Sequence, residues 1–568
     1  MPRQTRPLAL AAALAAFAIG PAQAQADPGV GLAGAYLAAR AASLNGDHRA
    51  AARHFEQALA ADPANGFLIG NAIYARAALG DWDRAAQIAK TLDADGPGRE
   101  IADLARLVEG LGRDDVTGAR AAIEAGHGPG PLIDDLVLGW IQFDTGDLTA
   151  AAAAFESVAA SGGISDIAHA HLGLARVAAG DFEGAEAVFS GAEFGPIAQT
   201  ERILRARALI LEQTDRRDAA VALLSEYTQA VPDPSLLALQ ARIAGADAPP
   251  PYDFIVTARQ GVAEAFFNVA GAIGAEGGSG ALPLLYAQAA HWIDAEHDAA
   301  RLLAGRLFAD GGQHALAAET FARVPPESDH YPEAQMGRAS AIFETGDMAA
   351  ATDVLQDLAD AHPDLPSVHA ALGDMLRRTE NCAEAIPAYG RALDSMDATR
   401  ENAWFVFYAR AICHEEIDDW PPAEADFRRA LELKPDQPNV LNYLGYSLVE
   451  QRRNLDEALA MIQRAVAGRP ESGYITDSLG WVLYRLGRFD EAVEPMERAV
   501  ALEPNDPIIN DHLGDVYWMV GRYREAEFQW RRALSFEPEA EEADRIRRKL
   551  ATGLYEVLEA EGGVGAIR

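Results

Sequence analysis

The chain has 568 residues, 48 Lys and Arg against 85 Asp and Glu, a formal net charge of −37 at pH 7 and 49% hydrophobic residues. Such an acidic surface repels nucleic acid and anionic lipid at long range, which excludes a nucleic-acid binder and a basic membrane-surface protein. Apolar side chains are ample for a continuous core, and much of the supply is Ala, which favours helix.

Met1 to Ala24 reads as a secretory signal. Arg3 and Arg6 give it a positive start, Leu8 to Ile19 is a twelve-residue apolar run, and Ala22-Gln23-Ala24 is a small-x-small cleavage pattern, with Ala24-Gln25-Ala26 as an alternative. Twelve apolar residues fall short of the ~20 that span a bilayer. Cleavage is therefore expected, leaving a chain of net charge −39 exported into a bacterial periplasm with no transmembrane span. Residues 28–245 read as a first array of helical hairpins. Ala39, Gly46, Ala51, Phe55, Ala58 and Pro63 form a good unit, and a weaker one keeps Gly80 and Ala85 but has Ile73 where a small residue is usual. The spacing is lost from Gly96 to Gly130, although Ile101–Leu111 and Thr117–Ala125 still read as short helices. Gly139, Gly146, Ala151 and Phe155 restore the register, and Gly173, Gly180, Ala185 and Phe189 repeat it 34 residues later. Residues 246–254, with Pro249-Pro250-Pro251, cannot continue a helix and read as a linker between two halves. The second half, 255–538, opens with an unusually apolar hairpin from Gly261 to Ile293 that turns at Glu276–Gly280. Further units lie around Gly305/Ala317/Phe321, Ala339/Ala351/Leu355, Gly373/Ala385/Tyr389 and Ala411/Ala423/Phe427.

The clearest stretch runs from Pro435 to Pro538. Gly445, Gly480 and Gly514 recur at 35 and 34 residues, each preceded by Leu, and Pro470, Pro504 and Pro538 close the units. With Pro507 as position 1, Leu513, Gly514 and Tyr517 fall at positions 7, 8 and 11 of a first helix, and Ala526, Trp530 and Ala533 at 20, 24 and 27 of a second. Residues three or four apart share a helix face; small ones at 8 and 20 let the two helices approach, and a large one at 24 fills the space beside them. This pattern resembles the tetratricopeptide repeat, which implies an all-α superhelix, here of about twelve or thirteen hairpins. Residues 539–560 read as a solvated capping helix, with Glu541–Arg545 and Asp544–Arg548 pairs along it.

From Tyr252 to about residue 550 the chain further resembles the periplasmic tetratricopeptide adaptor lipoproteins that tether a carboxyl-terminal processing protease. The likeness rests on Gly261-Val-Ala-Glu-Ala-Phe-Phe-Asn-Val-Ala270, Leu441-Asn-Tyr-Leu-Gly-Tyr446 and the segment Asp477 to Ala492. It implies a non-catalytic adaptor that brings such a protease, or its peptidoglycan-hydrolase substrates, into one complex. The only cysteines are Cys382 and Cys413, so no lipid-attachment cysteine follows the signal.

Catalytic motifs are missing: there is no His-Glu-x-x-His, Gly-x-Ser-x-Gly, phosphate loop or Cys-x-x-Cys, and no cofactor or metal is expected. Cys413 and His414 fall at positions 10 and 11 of a repeat helix; position 11 is normally buried, so His414 reads as a core histidine and not a ligand, and His169 and His171 point to different faces. The competing readings are an enzyme with its chemistry near Cys413/His414 or in the Gly96–Gly130 stretch, and an outer-membrane or cell-wall assembly factor. Cys382 begins one repeat's second helix and Cys413 ends the next repeat's first helix, antiparallel neighbours that an oxidising compartment would join in a disulfide. For a protein or peptide partner the expected groove is positions 2, 5, 9 and 12 of the first helices: Asn439, Asn442 and Tyr446, then Tyr474, Asp477, Trp481 and Tyr484, then Asp511, Asp515 and Trp518. Aromatics with a polar tip give contact area at low entropic cost, and Trp481 and Trp518 are the expected hot spots.

Overall fold

A Gly-Asp pair sets the turn inside many of the hairpins. Gly46, Gly80, Gly146, Gly180 and Gly346 take φ between +69° and +94°, the left-handed conformation that closes a helix and that only Gly adopts without strain. The Asp that follows then caps the next helix: Asp47 accepts from the Ala50 amide at 2.9 Å and Asp347 from the Ala350 amide at 3.1 Å. Where Gly is lacking, Asp114 and Asp418 hold the same backbone at φ 63° and 60°.

The computed structural model describes residues 31–92, 98–160, 165–230, 233–246, 248–275 and 281–562; the expected signal and the turn at 276–280 lie outside them. The fold is 77% helical, with 31 α-helices and no strand among the described residues. In chain order these are first α1 (Leu32–Leu44), α2 (His48–Ala61), α3 (Gly66–Ala78), α4 (Trp82–Ala89), α5 (Arg99–Gly112), α6 (Val116–Glu124), α7 (Pro131–Asp144), α8 (Leu148–Ala160), α9 (Ser165–Ala178) and α10 (Phe182–Phe189). Next come α11 (Glu201–Gln213), α12 (Arg217–Ala230) and α13 (Pro234–Gly245), then α14 (Ala258–Ala275), α15 (Ala281–Ile293) and α16 (Asp298–Asp310). The series continues with α17 (His314–Phe321), α18 (Tyr331–Glu344), α19 (Met348–Ala361), α20 (Pro366–Arg378), α21 (Cys382–Ser395), α22 (Trp404–Glu416), α23 (Trp420–Leu433), α24 (Pro438–Glu450) and α25 (Leu455–Gly468). It ends with α26 (Gly473–Arg485), α27 (Phe489–Leu502), α28 (Pro507–Met519), α29 (Tyr523–Ser535), α30 (Ala540–Thr552) and α31 (Leu554–Ala560).

The hairpins close on the register read from the sequence. A methyl group placed on Gly139 would sit 2.5 Å from the Phe155 ring, on Gly373 2.6 Å from Tyr389, and on Gly514 2.4 Å from Trp530. Small residues at position 8 are therefore a steric demand of the large one at position 24. Gly514→Ala is expected to overpack this contact and destabilise by about 1–3 kcal/mol. A urea midpoint equal to that of the wild type would show that α28 and α29 can separate freely.

The chain forms two compact units, and they do not follow a linear split at 246–254. Unit 1 comprises residues 1–198 and 253–313, and unit 2 comprises 199–252 and 314–568. The apolar hairpin expected to open the second half thus belongs to unit 1. There α14 packs on α7 and α9, and α15 packs on α3 and α5. The reason lies in its composition: Phe266, Ala287 and Ala290 are fully buried, and a hairpin apolar on most of its faces needs cover beyond its own partner helix. The residues read as one unit around Gly305, Ala317 and Phe321 are likewise divided. In unit 1, α16 packs on α15; in unit 2, α17 packs on α18, with Phe321 2.8 Å from where a Gly337 methyl would be.

The irregular stretch 96–130 still makes a helical pair, α5 and α6. Ion pairing takes over part of the work of the lost register: buried Asp103 receives Arg99 at 3.1 Å and Arg106 at 2.8 Å, with His127 at 3.4 Å. At the other end of the chain, the expected single cap is two helices broken at Gly553, φ +86°.

Candidate functional site

In unit 2 the first helices of the regular hairpins are α18, α20, α22, α24, α26 and α28, and the expected groove stripe lies on the last three. Much of that stripe is not an open surface. Trp481 is only 7% exposed; its ring is stacked on Tyr484 at 4.8 Å and on His512 at 4.0 Å, and its Nε1 donates to Glu450 Oε1 at 2.7 Å. Asp477 is buried against His512 Nδ1 at 3.0 Å. Tyr484 is 2% exposed, and its hydroxyl has no partner among the described residues. Asp511 and Asp515 accept from Lys549 Nζ at 2.7 and 2.6 Å, and Lys549 has no exposed surface. Trp518 leans on Trp530 at 5.3 Å and meets Tyr555 at 6.4 Å, and a methyl on Gly553 would lie 2.7 Å from its ring.

Two causes bury these residues. Within the unit α26 packs on both α24 and α28, so positions 5, 9 and 12 serve contacts between consecutive first helices as well as any groove. Beyond the last repeat, α30 and α31 lie over α28 and bring Lys549, Arg545 and Tyr555 onto it. The basic cluster read as a solvated face is partly inward, and the acids pair differently from expectation: Arg545 with Glu561 at 3.1 Å, and Asp544 with Arg547 at 2.6 Å. Asp511 and Asp515, like charges four apart on one helix face, were the sequence signal that a cation must come to meet them. Replacing Trp481 by Ala should therefore register first as lost stability, about 3–5 kcal/mol for a buried Trp, and the partly buried Trp518 should follow in the same direction with a smaller loss.

The rest of the stripe is more open. Asn439 Oδ1 accepts from Arg469 at 3.0 Å, Asn442 and Tyr446 are half-buried, and Tyr474 is 57% exposed. Burial pushes the Tyr446 hydroxyl well above its ordinary pKa, and the Glu450 and Asp477 carboxylates push it further. Two exposed rings went unread. Phe405 on α22 is 41% exposed and Tyr443 on α24 is 40% exposed; Phe405 meets Trp404 at 6.4 Å, Trp404 meets Tyr408 at 6.1 Å, and Tyr408 is 5.6 Å from Tyr443. Phe405 and Tyr408 stand at positions 2 and 5 counted from Trp404, so extending the same count one repeat earlier finds Phe405, whereas Tyr443 stands at position 6 from Pro438, off the counted stripe. Beside them Glu415 accepts from the Ser447 hydroxyl. Burial raises the Glu415 pKa; the neighbouring Glu416 raises it too, and the Ser447 hydroxyl opposes the rise.

His512 gives the stripe a pH signature. Burial alone would depress its pKa, but the Asp477 carboxylate, with Asp511 and Asp515, outweighs burial and holds it above the ordinary value. A raised histidine pKa contributes stability that is complete below about pH 6.5 and is lost as pH rises through the folded-state value. Asp477→Asn is expected to flatten that dependence. An unchanged slope in denaturation midpoints above pH 6.5 would assign the pH dependence elsewhere.

Cys382 and Cys413 are disulfide-bonded with Cα atoms 4.8 Å apart. Cys413 has no exposed surface, so in this state it offers no thiolate. His414 Nδ1 lies 3.4 Å from Asp419. His169 stacks on Phe194 at 4.4 Å, whereas His171 accepts from Trp140 Nε1 at 3.0 Å, so the two histidines do point apart. No group of three or more metal-ligating side chains occurs among the described residues, and none of the described helices is long and apolar enough to cross a membrane.

With this geometry in place, comparison with known proteins is informative at the level of the repeat. A sequence profile described as "Tetratricopeptide repeat" matches residues 136–201, 370–438, 408–472 and 443–507, and a second of the same description matches 42–108. A TPR repeat-containing protein of Pseudomonas aeruginosa, PA4667, is 27% identical over 192 residues, 34% of this chain; the match spans about a third, 32%, of that relative's length. Among solved structures, the Cut9–Hcn1 assembly of the APC/C aligns over 92% of this chain and 96% of that one at 14% identity and a TM-score of 0.39. PilF of Pseudomonas aeruginosa aligns over 36% of this chain and 88% of that one at 20% identity and a TM-score of 0.29.

Proposed function

Because residues 42–108, 136–201 and 370–507 are tetratricopeptide repeats in an all-α superhelix, we propose that the chain is a non-catalytic scaffold whose partner, a protein or peptide, docks on the first helices α22, α24 and α26 of unit 2. The observation that carries this reading is the set of exposed rings Phe405, Tyr443 and Tyr474 on these first helices, with the inner edge of Tyr443 packed on Tyr408 and Phe427. The carboxylates of Glu415 and Glu416 near Tyr443 and of Glu503 and Asp506 near Tyr474, on a chain of net charge −37, favour a partner segment that carries basic side chains. The signal-like start supports a periplasmic location, and the resemblance of residues 252–550 supports a carboxyl-terminal processing protease, or its substrates, as the partner.

Affinity capture from an envelope extract tests this proposal. The wild-type chain should retain a stoichiometric protein, and Phe405→Ala with Tyr443→Ala should weaken its capture by at least about 30-fold, as two hot-spot rings would. Association should slow as salt is raised. Equal capture by the double variant would move the docking face away from α22 and α24.

A further inference from the structure

The hairpin α14–α15 reaches unit 1 after residues 199–252 have gone into unit 2. It does not stack as the next repeat. It lies across the first helices α3, α5, α7 and α9, the face that in a helical-repeat array is left for a ligand. Its anchors resemble a docked peptide's. Arg259 donates to the Gly112 carbonyl at 3.1 Å and to Asp114 at 2.6 Å, Gln288 donates to the Ala78 carbonyl at 3.1 Å, and the Asn268 amide lies 3.5 Å from His171 Nε2. The closest approach is at Gly261, where a methyl group would sit 2.1 Å from the Trp140 indole. Only a helix with Gly at that crossing fits.

We propose that unit 1 is a receptor carrying its own ligand: its first-helix face accepts an apolar helix with Gly at the Trp140 crossing, and α14 of the same chain occupies it. Unit 2's exposed face is then the one available to partners at rest, while unit 1 opens only to a helix of α14-like chemistry. The surface is distinct from the one proposed above and stands or falls independently of it.

Gly261→Val separates the hairpin from its seat without touching the receiving helices. In the full-length variant, a fluorescently labelled peptide of residues 258–275 should bind at least ten times more tightly than to the wild-type chain, and the same peptide carrying Gly261→Val should not bind. Hydrogen exchange on the wild type should show α14 and α15 opening at a lower free energy than α7 and α9. Lack of peptide binding to the variant overturns the proposal. So does loss of protection across α3, α5, α7 and α9 in the variant, or exchange of the wild-type hairpin only together with the whole unit; either would make the hairpin permanent core.

Discussion

Lys549→Ala is expected to destabilise unit 2 by about 3–5 kcal/mol, the cost of leaving buried carboxylates without their cation. Asp515 has no exposed surface, and the remaining cation of the site, Arg545, stands 3.6 Å away. Burial already holds the Asp515 carboxyl above its ordinary pKa with Lys549 beside it, and removing the ammonium raises it further. A carboxyl whose folded-state pKa is raised is stabilised by protonation, so the loss should shrink as pH falls through the carboxylate range. Urea denaturation read by the fluorescence of Trp518 and Trp530 measures it. Lys549→Met combined with Asp511→Asn and Asp515→Asn should recover most of the stability. A single variant as stable as the wild type would mean that water reaches the two acids.

Reduction of the Cys382–Cys413 bond is expected to cost about 3–4 kcal/mol on the loop-entropy account, since it closes a loop of sequence separation 31. The bond ties the start of α21 to the end of α22 and so joins two successive hairpins. Denaturation with and without reductant gives the difference, and a thiol titration of the unfolded, unreduced chain should find no free sulfhydryl. Two free thiols would sink both the bond and this part of the case for an oxidising compartment.

The repeat register was legible because each hairpin obeys a local rule. Gly514 needs Trp530, and Gly373 needs Tyr389, within one unit of about 34 residues. The Cys382–Cys413 pairing followed from the same register, as it joins adjacent hairpins. What could not be read were contacts set by elements far away in sequence. Nothing near Trp140 announces that Gly261 will lie against its ring, and Trp481 and Tyr484 look like groove residues until His512 and the helix after the last repeat are placed. Exposure was the quantity at fault: positions 5, 9 and 12 are covered wherever a neighbouring first helix or the cap packs on them, as the burial of Asp515 illustrates, whereas Phe405 at position 2 stays open.

The interleaving of the two units also has a consequence for synthesis. Helices α1 to α10 are complete at residue 189, yet the segment that covers α3, α5, α7 and α9 ends at residue 293. At roughly 5–20 residues per second, the young chain carries a bare apolar face for about 5–20 s, while its length grows from about a third to about a half of the whole. A chaperone that binds exposed apolar surface would find its target in that intermediate, and chains truncated shortly after residue 198 would keep the sticky face permanently.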